Sequence, residues 1–411
     1  MTDRTTLDVD FCRAFFPPIG NGLAYLENAG GSYVPEPVIE AVTGYMRESQ
    51  CQPGWTFASS RQARARIDAG LAFAAGAINA GQDEVVVGPS TTLNAYVLAQ
   101  ALRPAMREGD EIIVTNQDHE SNGGVWRRLA QTGITVREWR IDPTSGDLDL
   151  ADLDALLGPR TRLVCFPHVS NIVGSVNDVA AITARAHAAG ARVCVDGVAA
   201  VAHDLPDVKA LDVDFYLFSF YKLYGPHLAL LYAKREHIVA AANQNHYFHE
   251  HSIPAKLNPG GLSYESVAGI AGIGSYLEAV DGHHFDAPAN SLRSRIERVY
   301  TLFRAQEANL MARLLGHLDR HPEVRLVGRR SADPKLRAPT FCLVAPGRSP
   351  EALANALAER GICVGHGHFY GKRCVEALGI DSETGVLRLS MVHYNTVDEI
   401  DRAGEALHAL L

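Results

Sequence analysis

The sequence predicts an α/β protein with a large, doubly wound and mostly parallel seven-stranded sheet. Short β-rich apolar runs alternate with alanine-rich helical stretches between about residues 80 and 234. The runs are apolar on both faces, which is typical of parallel strands that helices cover on both sides. Helical stretches such as residues 93–102 and 179–189 supply the crossovers. The predicted strands cover residues 84–88, 111–115, 136–141, 163–166, 192–196, 215–219 and 228–233.

A second, smaller α+β domain is predicted from the change of pattern after Glu265. A long, charged and amphipathic helical stretch covers residues 291–318, and shorter strand candidates follow it. We therefore expect a large domain of residues 21–286 and a small domain made of residues 1–20 plus 287–411. The strand candidates of the small domain are residues 324–327, 340–344, 362–364 and 386–390.

The net charge and the cysteine pattern argue against a nucleic-acid or membrane partner and against an oxidising compartment. The formal net charge is -9, which argues against nucleic acid or an anionic membrane as the main partner. The seven cysteines form no CxxC pair, a pattern typical of a reduced, intracellular protein. The N-terminus lacks the layout of a signal peptide, and no apolar run approaches the ~20 residues of a membrane span. We expect a cytoplasmic protein.

Candidate ligand-binding residues follow the predicted strands, because a doubly wound sheet binds its ligand beyond the carboxyl ends of the strands. Ser90 and Thr91 precede a helix, where hydroxyl and N–H groups can hold a phosphate or simply cap the helix. His119 can stack on a flat cofactor or move a proton, or can be an ordinary loop histidine. Asn171 can donate to a ligand oxygen or close a turn.

Two further strand ends carry an acid and a lysine. Asp196 emerges from a buried strand, where a carboxylate needs a cation or donor. It can pair with a protonated ring nitrogen, cap the next helix or, least favoured, bind a metal. Lys222 lies after Ser219 and Tyr221 and before a Gly-Pro turn, and burial would lower its pKa and make it a nucleophile. The alternative is a lysine that extends from the sheet end into solvent.

Taken together, these residues match what pyridoxal 5′-phosphate (PLP) requires. The lysine forms the aldimine (Schiff base) with the cofactor, and the acid keeps the pyridine nitrogen protonated so that the ring accepts electrons. A Rossmann nucleotide-binding protein is the non-PLP alternative, but no GxGxxG follows the first strand. No metal site is expected, because the histidines at 246, 249 and 251 lack an accompanying ligand set.

The sequence also resembles the class V aminotransferases, which are PLP enzymes of fold type I, and among them the cysteine desulfurase-like proteins. The resemblance runs from about Tyr25 to the C-terminus. Its most specific stretches are His168-Val-Ser-Asn171 with Gly174-Ser-Val-Asn177, Val195-Asp-Gly197, residues 219–226, and Arg388-Leu-Ser-Met-Val-His-Tyr-Asn-Thr396.

The resemblance implies a role for each matched residue. Lys222 would be catalytic and hold the cofactor, His119 would stack on its ring and assist proton transfer, and Asp196 would meet the pyridinium. The other roles that it implies are Asn171 at the ring hydroxyl, Ser90, Thr91 and Ser219 at the phosphate, Tyr221 as a further cofactor-binding residue, and Arg388, Asn28, Ala29, His368 and Tyr370 on the substrate side.

The sequence departs from the desulfurase pattern at the sulfur-accepting residue. Desulfurases have a nucleophilic cysteine on a mobile loop, and Tyr370 stands in its place here. A phenol with an ordinary pKa of ~10 cannot accept the sulfur. Three other positions differ from the pattern: Tyr221 where a histidine is usual, Ala199 where a glutamine is usual, and Gly261 where a phosphate-binding threonine is usual.

These departures predict a lyase that acts on a cysteine-like or other small amino acid by C–S cleavage or another elimination at Cβ. A class V aminotransferase is the runner-up, and epimerisation and decarboxylation stay open. A retired enzyme that binds PLP without catalysis is the non-enzyme alternative. The resemblance also implies a homodimer with its sites at the subunit boundary.

Overall fold

The computed structural model describes residues 6–411 of the chain. Its strands are β1 (Ala24–Tyr25), β2 (Val85–Gly88), β3 (Glu111–Thr115), β4 (Thr135–Trp139), β5 (Thr161–Pro167), β6 (Arg192–Asp196), β7 (Phe215–Ser219), β8 (Ala229–Ala233), β9 (Arg325–Leu326), β10 (Thr340–Val344), β11 (Ile362–Cys363), β12 (Gly365–Gly367) and β13 (Val386–Ser390). Seven of them form the central sheet in the order β2-β8-β7-β6-β5-β3-β4. Strand β8 runs against the other six, because its pairs with β2 and β7 are antiparallel and the remaining pairs are parallel. The predicted α/β fold with a mostly parallel seven-stranded sheet is confirmed.

Helices cover the central sheet on both sides, which explains why its strands are apolar on both faces. The α-helices of the described residues are α1 (Val9–Arg13), α2 (Glu36–Glu48), α3 (Ala58–Ala77), α4 (Thr91–Leu102), α5 (Glu120–Arg127), α6 (Leu150–Leu156), α7 (Val179–Ala188), α8 (Arg235–Ala240), α9 (Tyr264–His284), α10 (Leu292–Leu318), α11 (Pro350–Ala358), α12 (Lys372–Ala377) and α13 (Val397–Leu410). Side chains alternate along each strand, so Val85 and Val87 pack in one core and Val86 in another. Helices α2, α3 and α9 contribute to the first core, and α4 and α5 to the second.

A four-stranded antiparallel sheet lies in the C-terminal part of the chain, in the order β12-β13-β10-β9. Strand β11 pairs instead with β1 in a parallel two-stranded sheet, which joins Ala24–Tyr25 to the C-terminal part. The prediction missed β1 and β12, because a two-residue strand and a Gly-His-Gly strand carry no apolar alternation. It also extended β4 to residue 141, whereas Ile141 leaves the sheet and donates its N–H to Asn116 Oδ1.

The predicted domain boundaries stay a prediction, and residues 1–5 of the predicted small domain lie outside the described residues. Ala24 and Leu26 pack in the core of the four-stranded sheet, although the prediction assigned them to the large domain. In residues 6–411, no helix is long and apolar enough to cross a membrane.

Candidate active site

Two adjoining cavities lie at the carboxyl ends of the central strands. The inner cavity is lined by Ser90, Thr91, Thr92, His119, Ser121, Pro167, Val169, Asn171, Asp196, Val198, Ala199, Ser219, Tyr221 and Lys222. The outer cavity opens towards solvent and is lined by Glu27, Ala29, Gly30, Thr92, Tyr96, His119, Glu120, Ser121, Gly124, Arg128, Asn171, Tyr221, Lys222, Phe369, Tyr370 and Arg388. Lys222, His119, Asn171 and Tyr221 line both cavities, so the two form one continuous site with Lys222 at their junction.

Lys222 is positioned by the end of β7 and by the turn that follows it. The strand ends at Ser219, and a single 3₁₀ turn from Phe220 to Lys222 brings the side chain into the site. Its Nζ donates to the carbonyl oxygen of Ala29. Burial, and then the charge of Arg388, lower the pKa of Lys222 to about 8. The amine is therefore much easier to deprotonate than an ordinary lysine, as a nucleophile or base requires.

Asp196 lies at the end of β6 and lines the inner cavity. Its side chain is only 4% exposed and accepts one hydrogen bond, from the Val198 N–H at 2.9 Å. Burial raises its pKa to about 6, although the Val198 bond and the charge of Lys222 act in the opposite direction. The next residue, Gly197, has no room for a side chain, because a Cβ there would lie 2.1 Å from the ring of Tyr216. A buried carboxylate that accepts only one hydrogen bond would be stabilised by a cation bound in the cavity.

His119 forms the N-cap of α5 and lies along the wall that the two cavities share. Its Nδ1 accepts from the Ser121 N–H at 3.1 Å, which leaves the proton of the neutral ring on Nε2. Burial, followed by the charges of Lys222 and Arg388, lowers the pKa of His119 to about 4. The ring is neutral at pH 7 and can stack on a flat ligand without adding a charge.

Hydroxyl groups surround the end of the inner cavity at the start of α4. Ser90 caps this helix, since its Oγ accepts from the Leu93 N–H at 3.2 Å. Thr91 Oγ1 and Ser219 Oγ are hydrogen-bonded at 2.7 Å, and both residues are buried. The cap and the phosphate interpretations of Ser90 are therefore compatible, because a cradle of hydroxyls and N–H groups stands at the N-terminus of a twelve-residue helix.

Arg388 lies on β13 at the floor of the outer cavity. Its side chain is almost fully buried, and its guanidinium centre lies 3.6 Å from the centroid of the Phe369 ring. Nη2 donates to Glu27 Oε1 at 2.6 Å, whereas none of the described residues forms a hydrogen bond with Nε. The prediction named Arg388 but missed Glu27 and Phe369. The sequence does contain one indication of Glu27, because its carboxylate lies next to Asn28 and Ala29 in a turn that was predicted to line the substrate side.

Two residues predicted on the substrate side, Asn28 and His368, do not line either cavity, and their roles there stay predictions. Asn28 is buried and its amide is fully used: Nδ2 donates to the carbonyls of Tyr25 and Ser390 and to Asn395 Oδ1, while Oδ1 accepts from Tyr394 Oη. It holds the turn that presents the Ala29 carbonyl to Lys222.

His368 lies in a neighbouring cavity together with Glu383, and its Nδ1 accepts from the Tyr370 N–H at 3.2 Å. Tyr370 itself lines the outer cavity, and its side chain is 70% exposed. Its ring centroid lies 5.2 Å from that of His119.

The residues of the inner cavity fit PLP on the evidence of their unused hydrogen-bonding groups. Asn171 Nδ2 donates to the Phe369 carbonyl at 2.9 Å, but its buried Oδ1 has no hydrogen-bond partner in the described part of the chain. Within residues 6–411 no cation forms an ion pair with Asp196, the amine of Lys222 lines the cavity, and hydroxyls stand at the opposite end. In residues 6–411, no group of three or more histidine, cysteine, aspartate or glutamate side chains is arranged to hold a metal.

Comparison with known proteins identifies the family. Residues 24–403 match the family described as aminotransferase class-V. The chain belongs to this family. Members of the class-V family use PLP, the cofactor that the sequence predicted, and the fold-type-I assignment is confirmed by the solved relatives.

Three relatives of this class-V protein cover nearly its whole length. It is 35% identical to the aminotransferase-like protein FGM3 of Gibberella zeae, over 99% of both chains. It is 35% identical to the cysteine desulfurase-like protein ustD of Aspergillus flavus, over 97% of this chain and 89% of that one. The crystal structure of the cysteine desulfurase CsdA from Escherichia coli has a TM-score of 0.83 at 27% identity, over 98% of both chains.

Proposed function

We propose that this class-V family member is a PLP-dependent lyase that breaks a bond at Cβ of a small amino acid, with the C–S bond of cysteine as the first candidate. The observation that carries the proposal is the composition of the outer cavity. It combines an amine at Lys222, a guanidinium at Arg388 and a phenol at Tyr370, and no cysteine is among the described residues that line it. These groups can protonate a leaving group, whereas they include no thiol to which the sulfur could be transferred.

The inner cavity would hold the cofactor through the residues that the sequence predicted. Lys222 would bind its aldehyde carbon, Asp196 would face the ring nitrogen, and His119 would lie on the ring face. Asn171 would meet the ring hydroxyl. The phosphate would lie at the N-terminus of α4, against the side chains of Ser90, Thr91, Ser219 and Tyr221. When bound, PLP supplies an electron sink that stabilises negative charge at Cα of an amino acid.

Arg388 and Lys222 support chemistry at the α-carbon, because both line the outer cavity. The guanidinium would bind the α-carboxylate of the substrate, for which its planar donors are well suited. Lys222 Nζ would remove the α-proton, in keeping with its lowered pKa. The Ala29 carbonyl, which accepts from Nζ in the resting protein, would keep the amine oriented.

Tyr370 and His119 would supply the proton for the leaving group. The His119 ring carries its proton on Nε2, and the Tyr370 ring lies 5.2 Å from it between centroids. With cysteine, the Cα–H and Cβ–S bonds break, the sulfur leaves as hydrogen sulfide, and water releases pyruvate and ammonia. The reaction needs no oxidant or reductant.

The positions of the nearest cysteines in sequence support this choice over sulfur transfer. Cys374, four residues after Tyr370, is fully buried in α12, and burial raises the pKa of its thiol. Cys363 lies on β11 outside both cavity walls, and burial raises its pKa as well. A thiolate nucleophile needs the opposite environment.

The test is product analysis with the PLP-loaded protein and cysteine. We expect pyruvate and sulfide in equal amounts and a visible cofactor band that shifts on addition of cysteine. The Lys222→Ala variant should form neither product and should not show this band shift. Accumulation of the amine form of the cofactor without pyruvate would contradict the lyase and favour an aminotransferase, which the name of the Gibberella zeae relative also suggests. A screen of other small amino acids by the same readout would define the side chain.

We propose further that the chain forms a homodimer. Large aromatic side chains are exposed at Trp55, Phe57, Tyr247 and Phe248, and aromatic residues of this kind are enriched in protein interfaces. Sedimentation equilibrium at micromolar protein should give twice the 44.5 kDa chain mass, and a monomer would contradict the proposal.

A further inference from the structure

The ion pair between Glu27 and Arg388 has no part in the chemistry proposed above, yet it occupies the group to which that chemistry assigns the substrate carboxylate. Glu27 Oε1 accepts from Arg388 Nη2 at 2.6 Å, and both side chains line the outer cavity. The pair is a single hydrogen bond and not a bidentate fork. Glu27 Oε2 and Arg388 Nε are both buried and have no hydrogen-bond partner among residues 6–411.

The backbone around Glu27 leaves room for its carboxylate in this position. A Cβ on Gly365 would lie 2.9 Å from Glu27 Cδ, and a Cβ on Gly30 would lie 2.7 Å from Glu27 Oε1. Both distances are too short for real contacts, so the two glycines together form a niche that the carboxylate fills. The Glu27 backbone is fixed from the other side by a bridge to Ser390, two residues after Arg388.

Glu27 and the carboxylate of a substrate would compete for the same guanidinium, that of Arg388. An almost fully buried guanidinium is costly without a counter-charge, and Glu27 provides one. A substrate carboxylate at Arg388 would bring a second negative charge next to Glu27, and one guanidinium cannot compensate both equally. Binding of the substrate carboxylate is therefore coupled to release of Glu27 from Arg388.

We propose that Glu27 is a specificity-determining residue that occupies Arg388 until a substrate carboxylate displaces it. The proposal rests on the proposed function, in which Arg388 anchors the α-carboxylate. A ligand with a carboxylate alone binds weakly, because it has to replace Glu27 and brings no amine for the cofactor. An amino acid brings both groups, so the site discriminates in favour of ligands that carry the two together.

The experiment measures binding of propionate, a carboxylate without an amine, to the PLP-loaded protein by titration calorimetry. Removal of the competing charge in Glu27→Gln should tighten propionate binding about tenfold or more, since hydrogen bonds between charged groups are among the stronger ones in proteins. Binding of ethylamine, an amine without a carboxylate, should change by less than about twofold, a shift well below the tenfold step. Its binding is followed by the visible cofactor band.

The matched control is Glu120→Gln, which also removes a carboxylate from the wall of the outer cavity. Glu120 pairs with Arg373 and makes no hydrogen bond to Arg388, so propionate affinity should stay within about twofold of the parent protein. An equal gain in Glu27→Gln and Glu120→Gln would overturn the proposal, because it would show a general effect of charge. A loss of affinity in Glu27→Gln would also overturn it and would make Glu27 a residue that merely orients Arg388.

A double variant, Glu27→Gln with Arg388→Gln, separates failure of this proposal from failure of the proposed function. It removes both charges, so no buried charge is left unpaired. If it binds propionate as tightly as Glu27→Gln, Arg388 is not the carboxylate anchor, and that part of the proposed function fails. If it loses binding while Glu27→Gln gains none, only the role of Glu27 fails. Should Glu27→Gln not fold, Glu27→Asp keeps the charge on a shorter side chain and should give a smaller gain in the same direction.

Discussion

Replacement of Asp196 by asparagine should change how the stability of the cofactor-free protein depends on pH. Burial raises the pKa of Asp196 from 3.8 to about 6 in the folded chain. A difference of about two pKa units corresponds to about 3 kcal/mol, and the side chain is too buried for solvent to screen much of it. Because the folded pKa is the higher one, the protonated acid favours the folded state. This contribution is fully present below about pH 4 and is lost as the pH rises through about 6.

Asparagine has no proton to lose, so the variant should lack this loss of stability. We expect the free energy of unfolding of Asp196→Asn, relative to the parent protein, to rise by about 2 kcal/mol between pH 4.5 and 7.5. The measurement is urea unfolding of both cofactor-free proteins at several pH values in that interval. A difference that stays flat with pH would refute the argument that burial, and not the Val198 hydrogen bond, dominates the environment of this acid.

The cofactor provides the control for this prediction, with Asp118→Asn as the matched variant. Asp118 is equally buried, burial raises its pKa to about 7, and it lies outside both cavity walls. A protonated pyridine next to Asp196 would stabilise its carboxylate, so bound PLP should abolish the pH effect at Asp196. The pH effect of Asp118→Asn should persist with PLP. If PLP leaves both effects unchanged, Asp196 does not meet the ring nitrogen.

Three other substitutions test the remaining parts of the site. Tyr370→Phe should lower kcat for pyruvate formation on the order of 100-fold, as loss of a general acid does, while the affinity for PLP measured by fluorescence stays unchanged. Thr91→Val, which removes the hydroxyl bonded to Ser219, should weaken PLP binding about tenfold in equilibrium dialysis, and unchanged binding would exclude the phosphate role. Gly365→Ala should lower the free energy of unfolding, measured in urea, by about 1–3 kcal/mol, because the Cβ of the new alanine would lie 2.8 Å from the Phe369 ring. An unchanged free energy of unfolding would contradict this packing.

The sequence predicted the large sheet and most of the site because both depend on local patterns. Apolar runs between helical stretches gave all seven central strands, and parallel strands place their carboxyl ends along one edge. Lys222, Asp196 and His119 therefore meet in one cavity as predicted. The roles assigned to them by the resemblance stay predictions until a cofactor-bound protein is measured.

The errors concern residues whose orientation depends on distant contacts or unusual backbone. Phe369 and Tyr370 both have positive φ, at 47° and 58°, which few side chains adopt and no periodic pattern predicts. The chain turns there, so Phe369 and Tyr370 line both the outer cavity and the neighbouring one, whereas His368 lines only the neighbouring one. The Glu27–Arg388 pair joins residues 361 positions apart, and a single sequence gives no signal for such a contact.

Asn171 provides a direct connection between the two cavities. Its backbone carbonyl accepts from Arg388 Nη1 at 3.4 Å, while its side-chain amide donates to the Phe369 carbonyl. The Phe369 ring in turn covers the guanidinium of Arg388. Asn171 thus contacts both Arg388 and Phe369, and its own Oδ1, which has no partner among the described residues, is the atom that it could offer to a cofactor. A cofactor that fixes Asn171 would also fix the guanidinium and the ring beside it. If the proposed roles hold, Arg388 and Phe369 should therefore be better ordered in the PLP-loaded protein than in the empty one.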